Sequence, residues 1–161
     1  MSKIKAIVLA LGLALATLFL ASAPASAGPK TVYIEGSGTG TIRINTETGA
    51  FTGEESGVAN LLGKYAVDFQ GDSTISQDGT VEASGTAKIV AANGDQLTGT
   101  FTTTGREPTL TVTVTITGGT GRFEHASGTL TVDCVSSGPP SQEGPVLVIE
   151  HDCTMKGKIR F

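Results

Sequence analysis

Thr109-Leu110-Thr111-Val112-Thr113-Val114-Thr115-Ile116-Thr117 decides the fold class of this chain. Leu110, Val112, Val114 and Ile116 fall on every second residue, and the threonines between them point the other way. A helix scatters such residues around its axis, whereas a strand gathers them on one face. Working outward, Lys64–Gln70 alternates in the same way, with Tyr65, Val67 and Phe69 together. Ser127–Cys134 follows with Leu130, Val132 and Cys134. Fainter strand patterns run through Thr31–Gly36, Thr41–Asn45, Thr80–Ala92, Asp95–Thr104 and Val146–Phe161.

The punctuation between these runs agrees. Asp78-Gly79 and Asn93-Gly94 supply the positive φ angles that tight hairpin turns need. Gly105-Arg106-Glu107-Pro108 and Gly138-Pro139-Pro140 read as longer connections, and Ser136–Gly144 as a mobile loop. About eight short antiparallel strands must resolve their edges, and closure does so completely. The expectation is an all-β, eight-stranded antiparallel closed β-barrel of calycin-like form, with a β-sandwich as the alternative. Eight strands leave an interior just wide enough for side chains or one small ligand.

Composition narrows the class further. The 161 residues include 22 glycines, no tryptophan and two cysteines, with a net charge of −4. There is no Gly-X-Y period, so the chain is not collagenous, and two cysteines are too few for a disulfide-dense miniprotein. An acidic balance argues against a nucleic-acid partner, which needs a basic face.

Residues 1–27 read as a signal peptide and 28–161 as a single barrel domain. Lys3 and Lys5 precede the uncharged run Ala6–Leu20, and Ser22-Ala23-Pro24-Ala25-Ser26-Ala27 ends in the Ala-x-Ala pattern of a cleavage site. At ~1.5 Å per residue that run falls short of a ~30 Å membrane core. The signal helix is therefore expected to be removed, leaving no membrane span and placing the protein in the periplasm or outside the cell. No cysteine follows the run, so no lipid anchor is expected.

In an oxidising compartment Cys134 and Cys153 are expected to pair. The ring of about 20 residues is worth roughly 3 kcal/mol. If the strand before the Ser136–Gly144 loop pairs with the strand after it, the two cysteines meet. Leu147, Ile149, His151 and Cys153 then share an apolar face. A metal is not expected, because neither the cysteines nor the two histidines show ligand spacing.

The stretch Gly118-Gly119-Thr120-Gly121-Arg122-Phe123-Glu124-His125-Ala126-Ser127-Gly128 resembles the GGTGRF-x-x-A-x-G signature of the allene oxide cyclase barrel-like superfamily. That superfamily includes dirigent proteins, and many bacterial secreted proteins look similar. Leu62-Gly63-Lys64-Tyr65 and Ala91-Ala92-Asn93-Gly94-Asp95-Gln96-Leu97 add to the likeness, which spans Gly36 to Leu130. The resemblance implies an eight-stranded barrel with a central pocket for an apolar molecule, and carries over no catalytic residue. In physical terms, Gly118, Gly119 and Gly121 permit a sharp turn, Phe123 plugs an end of the core, and Ala126 and Gly128 allow close approach. Neither this stretch nor Gly36-Ser37-Gly38-Thr39-Gly40 opens a helix, so a nucleotide loop is not expected. No cofactor is implied.

Chemistry candidates are few. His151, on the expected inner face, has the chemistry of a general base or a ligand-contacting donor. The blander reading, which the sequence favours, is a rim histidine that meets solvent. His125 reads as an exposed turn residue. Gly53-Glu54-Glu55-Ser56-Gly57 misplaces the serine of a hydrolase elbow. Glu54, Glu55, Asp68 and Asp72 read as solvated surface, and the threonine faces as β-favouring exterior. Phe161 at the end of the last strand raises an outer-membrane barrel, which the scarcity of aromatics for two girdles opposes. The leading functional expectation is a non-catalytic binding or structural module enclosing a small apolar ligand. The alternative is a cyclase or isomerase steering an apolar substrate, with His151 or an inward acid assisting.

Overall fold

A computed structural model describes residues 28–161; the leader expected over residues 1–27 lies outside the described residues. The elements are β1 (Thr31–Asn45), β2 (Ala50–Ala59), β3 (Gly63–Ile75), β4 (Val81–Ala91), β5 (Gln96–Arg106), β6 (Thr109–Gly119), β7 (Ser127–Ser136), β8 (Ser141–Glu143) and β9 (Val146–Arg160). Each of β1 to β7 pairs antiparallel with the next, β7 pairs with β9, and β9 returns to β1. The β1–β9 ladder runs from Thr31↔Arg160 to Asn45↔Val146. This seam closes an eight-stranded barrel, so the sandwich alternative falls. Short β8 lies against the start of β9, outside the ring.

The strand count matches the expectation, but two strands depart from it. Thr31–Gly36 and Thr41–Asn45 are halves of one continuous strand, β1. Its inward row is Val32, Ile34, Gly36, Gly38, Gly40, Ile42 and Ile44. The three glycines interrupt the apolar signal without interrupting the ladder. The strand left out of the reading is β2, whose inward row is Phe51, Gly53, Glu55, Gly57 and Ala59. Only its two ends are apolar, so alternation was hidden there for the same reason.

The connections also tighten. Glu107-Pro108, joined by a cis peptide, is a two-residue link between β5 and β6 rather than a long loop. Part of the Ser136–Gly144 segment is ordered as β8 on Val146–Val148. Gly118 and Gly119 finish β6, and the turn proper begins at Thr120. Gly121 has φ +58 and sits against the Asp95 carboxylate, so a side chain there meets both strain and an obstacle. Arg122 ties the turn down: it pairs with Asp95, donates to the Leu61 carbonyl at 3.0 Å and lies 4.7 Å over the Phe123 ring.

The barrel has two unlike ends. One gathers the β2–β3, β4–β5 and β6–β7 turns, where Leu62, Leu97, Phe123, Ala126 and Ile159 are buried. Phe123 is fully buried, edge-on to Phe161 at 5.2 Å between centroids. This end is plugged. Toward the other end Phe51, Phe69 and Phe101 form a triad with centroids 6.1 to 6.4 Å apart.

The outward positions of β5 and β6 are Thr98, Thr100, Thr102, Thr104, Arg106, Thr109, Thr111, Thr113, Thr115 and Thr117. A lipid-facing barrel wears apolar residues outside and polar ones within. Here apolar residues fill the inside and these two strands turn hydroxyls outward, against the outer-membrane reading. Among the described residues no helix is long and apolar enough to cross a membrane.

Candidate functional site

Three glycines clear a space on the inner wall. Gly40 of β1 lies between Glu55 of β2 and His151 of β9 in the ladder. One register step away, Gly38 lies between Gly57 and Cys153, and Gly57 in turn faces Tyr65 of β3. With no side chain at 38, 40 or 57, the longer side chains of neighbouring strands reach across. A Cβ on Gly40 would stand 2.8 Å from His151 Nε2, and one on Gly38 would stand 2.5 Å from the Tyr65 hydroxyl and 2.7 Å from Glu55 Oε1. The glycines are thus required by close approach, not by unusual backbone angles.

The residues that meet there form a polar corner in an otherwise apolar lumen. The Tyr65 hydroxyl donates to Glu55 Oε1 at 2.8 Å. Glu55 Oε2 faces His151 Nε2 at 3.7 Å, with side-chain exposures of 9% and 5%. His151 Nδ1 is buried and has no hydrogen-bond partner among the described residues. An unpartnered buried polar atom costs about 1–3 kcal/mol, so natural folds rarely leave one without a reason. The Phe69 ring lies 6.3 Å from the imidazole, walling it on the apolar side. Burial, and secondarily the Glu55 carboxylate, push the Tyr65 hydroxyl well above the ordinary phenol value, so it remains a donor.

The corner borders a cavity of about 130 Å³ inside the barrel. Its walls are largely aliphatic and aromatic, including Ile42, Val67, Phe69, Phe101, Val112 and Ile149. Ser73, Glu107, Pro108 and Ser136 line it at the end opposite the Phe123 plug. Apolar cavities of roughly 150 Å³ accept a benzene-sized guest. A single ring fits this volume.

The structure corrects two readings of individual residues. His151 is not a rim histidine in contact with solvent: it is 4% exposed and faces the lumen. Glu55 is not solvated surface, although its neighbour Glu54 is exposed. Asp68 stays outside, paired with Lys88 at 3.2 Å, and Asp72 is exposed. His125 is exposed with φ 65, in the turn at the plugged end and remote in sequence from the corner. Cys134 and Cys153 are bonded to each other at a directly opposed register, with Cα atoms 4.1 Å apart. Gly118, Gly119, Gly121 and Phe123 serve the plugged end and do not contribute to the corner.

Sequence reasoning placed Tyr65 on the core face but missed its partnership with Glu55. The signal was present: Phe51-x-Gly53-x-Glu55-x-Gly57-x-Ala59 has period two once glycine is allowed as an inward residue. One grouping of metal-ligand types occurs among the described residues. Donor atoms of Glu55, His151 and Cys153 all lie within 4.8 Å of one another. Neither the models of known protein families nor the curated proteins give a match to this chain.

Proposed function

We propose that this protein is an exported, non-catalytic binding module. Its barrel takes up a small, mainly apolar molecule of single-ring size that carries one polar group, a phenol being the simplest example. The observation that carries the reading is the buried His151 Nδ1, unpartnered beside an apolar cavity of about 130 Å³. A cavity meant only to be filled would be lined by aliphatic side chains alone. The polar group of the guest engages the Glu55–His151 corner while its ring lies among Phe69, Phe101 and Ile149. The likeness of Gly118–Gly128 to the allene oxide cyclase barrel-like signature supports the same idea of a central apolar pocket. Export to the periplasm or exterior rests on the leader pattern of residues 1–27 and on the Cys134–Cys153 bond.

Titration with phenol, p-cresol and decanoate, followed by methyl resonances of the protein, tests this. Shifts confined to lumen methyls with the two phenols, and none with decanoate, are expected. Absence of any lumen shift with all three overturns the reading.

One observation favours a second reading. The Glu55 carboxylate beside His151 Nε2 is the arrangement that holds an imidazole as a general base. Under that reading the barrel isomerises an apolar carbonyl compound, and deuterium exchange beside the carbonyl of a bound aryl ketone discriminates the two.

A further inference from the structure

We propose that reduction of the Cys134–Cys153 disulfide converts the glycine-cleared corner into a divalent-metal site, zinc first, held by the Cys153 thiolate, the His151 imidazole and the Glu55 carboxylate. In the oxidised chain the sulfur is committed to Cys134, which leaves one imidazole and one carboxylate. Two donors are too few for a stable structural site. A dithiol reductant supplies the change. It gives two electrons and two protons, the S–S bond breaks to two thiols, and the dithiol closes to its own disulfide. The metal then displaces the thiol proton of Cys153 to solvent as the sulfur–metal bond forms.

The placement of the residues carries this inference. His151 and Cys153 sit two apart on β9 and both face inward at 4% and 3% exposure. Glu55 reaches them from β2 because Gly38 and Gly40 leave β1 bare between them. The donor atoms lie within 4.8 Å of one another, whereas zinc bonds of about 2.0–2.3 Å call for donors roughly 3.5 Å apart. The site requires a freed Cys153 side chain to turn toward the other two donors and close that difference. Reduction also frees the sulfur of Cys134, directly opposite Cys153.

One feature already resembles the surroundings of a ligand set. Tyr65 donates to Glu55 Oε1, which orients the carboxylate and leaves Oε2 toward the imidazole. A thiolate, an imidazole and a carboxylate suit zinc or cobalt, while magnesium and calcium prefer oxygen alone. The inference does not rest on the ligand reading, and its test uses no organic ligand.

The test is a titration with Co²⁺, whose thiolate charge-transfer absorption reports sulfur ligation directly. Two proteins are used: the wild type reduced with a phosphine, and Cys134→Ser, which frees Cys153 without any reductant. Both are expected to develop the band, to lose it when Zn²⁺ is added, and to differ in this from the oxidised wild type. Adding His151→Ala or Glu55→Ala to Cys134→Ser is expected to weaken Co²⁺ binding by at least about tenfold. A folded Cys134→Ser protein with no thiolate–cobalt band overturns the proposal, as does a band indifferent to His151→Ala. If Cys134→Ser does not fold, the reduced wild type decides. Loss of the barrel in both forms overturns the proposal too, because no scaffold then holds the donors.

Discussion

Glu55 and His151 face each other at 3.7 Å across a strand that puts nothing between them. They belong to β2 and β9, and Gly40 of the intervening β1 is paired with both. An acid–imidazole contact between strands that are not hydrogen-bonded to each other is possible only where the middle strand lacks a side chain. The polar corner is therefore a property of three strands at once.

Gly40→Ala tests that dependence. The added methyl meets His151 Nε2 and the backbone oxygen of Glu54, of which the backbone cannot give way cheaply. A loss of about 1–3 kcal/mol in denaturant unfolding is expected, the range of an overpacked core. Ser37→Ala on the exposed face of the same strand serves as control and is expected to stay within about 0.5 kcal/mol.

Glu55 accepts from Tyr65 with one carboxylate oxygen and faces His151 with the other. Glu55→Ala leaves the Tyr65 hydroxyl without its acceptor and removes the carboxylate that faces His151. The cost expected in chemical denaturation is about 2–3 kcal/mol. Glu55→Gln keeps an acceptor for Tyr65 and is expected to lose less. Equal losses in the two variants would show that the Tyr65 hydrogen bond contributes nothing.

The raised Tyr65 value makes a prediction at alkaline pH. The folded chain holds the phenolic proton more tightly than the unfolded chain, whose tyrosine titrates at the ordinary value of 10.0. The Tyr65 contribution is thus fully present below that pH and declines as pH rises beyond it, by at most about 1.4 kcal/mol per pH unit. Unfolding measured on either side of pH 10 in wild type and Tyr65→Phe checks it. The wild type is expected to lose stability more steeply, and parallel slopes would refute the assignment.

The disulfide closes a ring with a sequence separation of 19 residues. Its removal in Cys134→Ser/Cys153→Ser is expected to cost roughly 3 kcal/mol, judged from chain entropy. Thiol labelling of the unreduced protein under denaturing conditions is expected to find no reactive cysteine, since both are bonded.

Phe123 plugs one end of the barrel and contributes no lining to the cavity. Phe123→Ala is expected to cost about 3–5 kcal/mol in thermal or denaturant unfolding. Residual folded protein should bind a lumen guest with unchanged affinity, which separates the scaffold from the site.

Much of the architecture was legible in the chain itself. In β3, β6, β7 and β9 aliphatic and aromatic residues alternate with polar ones, and that pattern specifies which face is buried whatever the neighbours are. Asp78-Gly79 and Asn93-Gly94 announced their turns, with φ of 82 and 86 at the glycines. The pairing of Cys134 with Cys153 followed from the same alternation, because the two lie on inward faces of strands flanking one loop. What the chain alone did not disclose was the middle of β1, the whole of β2 and the burial of Glu55. The central inward positions there carry glycine or a carboxylate, and neither produces a hydrophobic period. Whether a glycine is a break or a cleared space depends on what the adjacent strands send across it. That is a relation between residues more than a hundred positions apart in sequence, Gly40 and His151, and only closure of the barrel brings it into being.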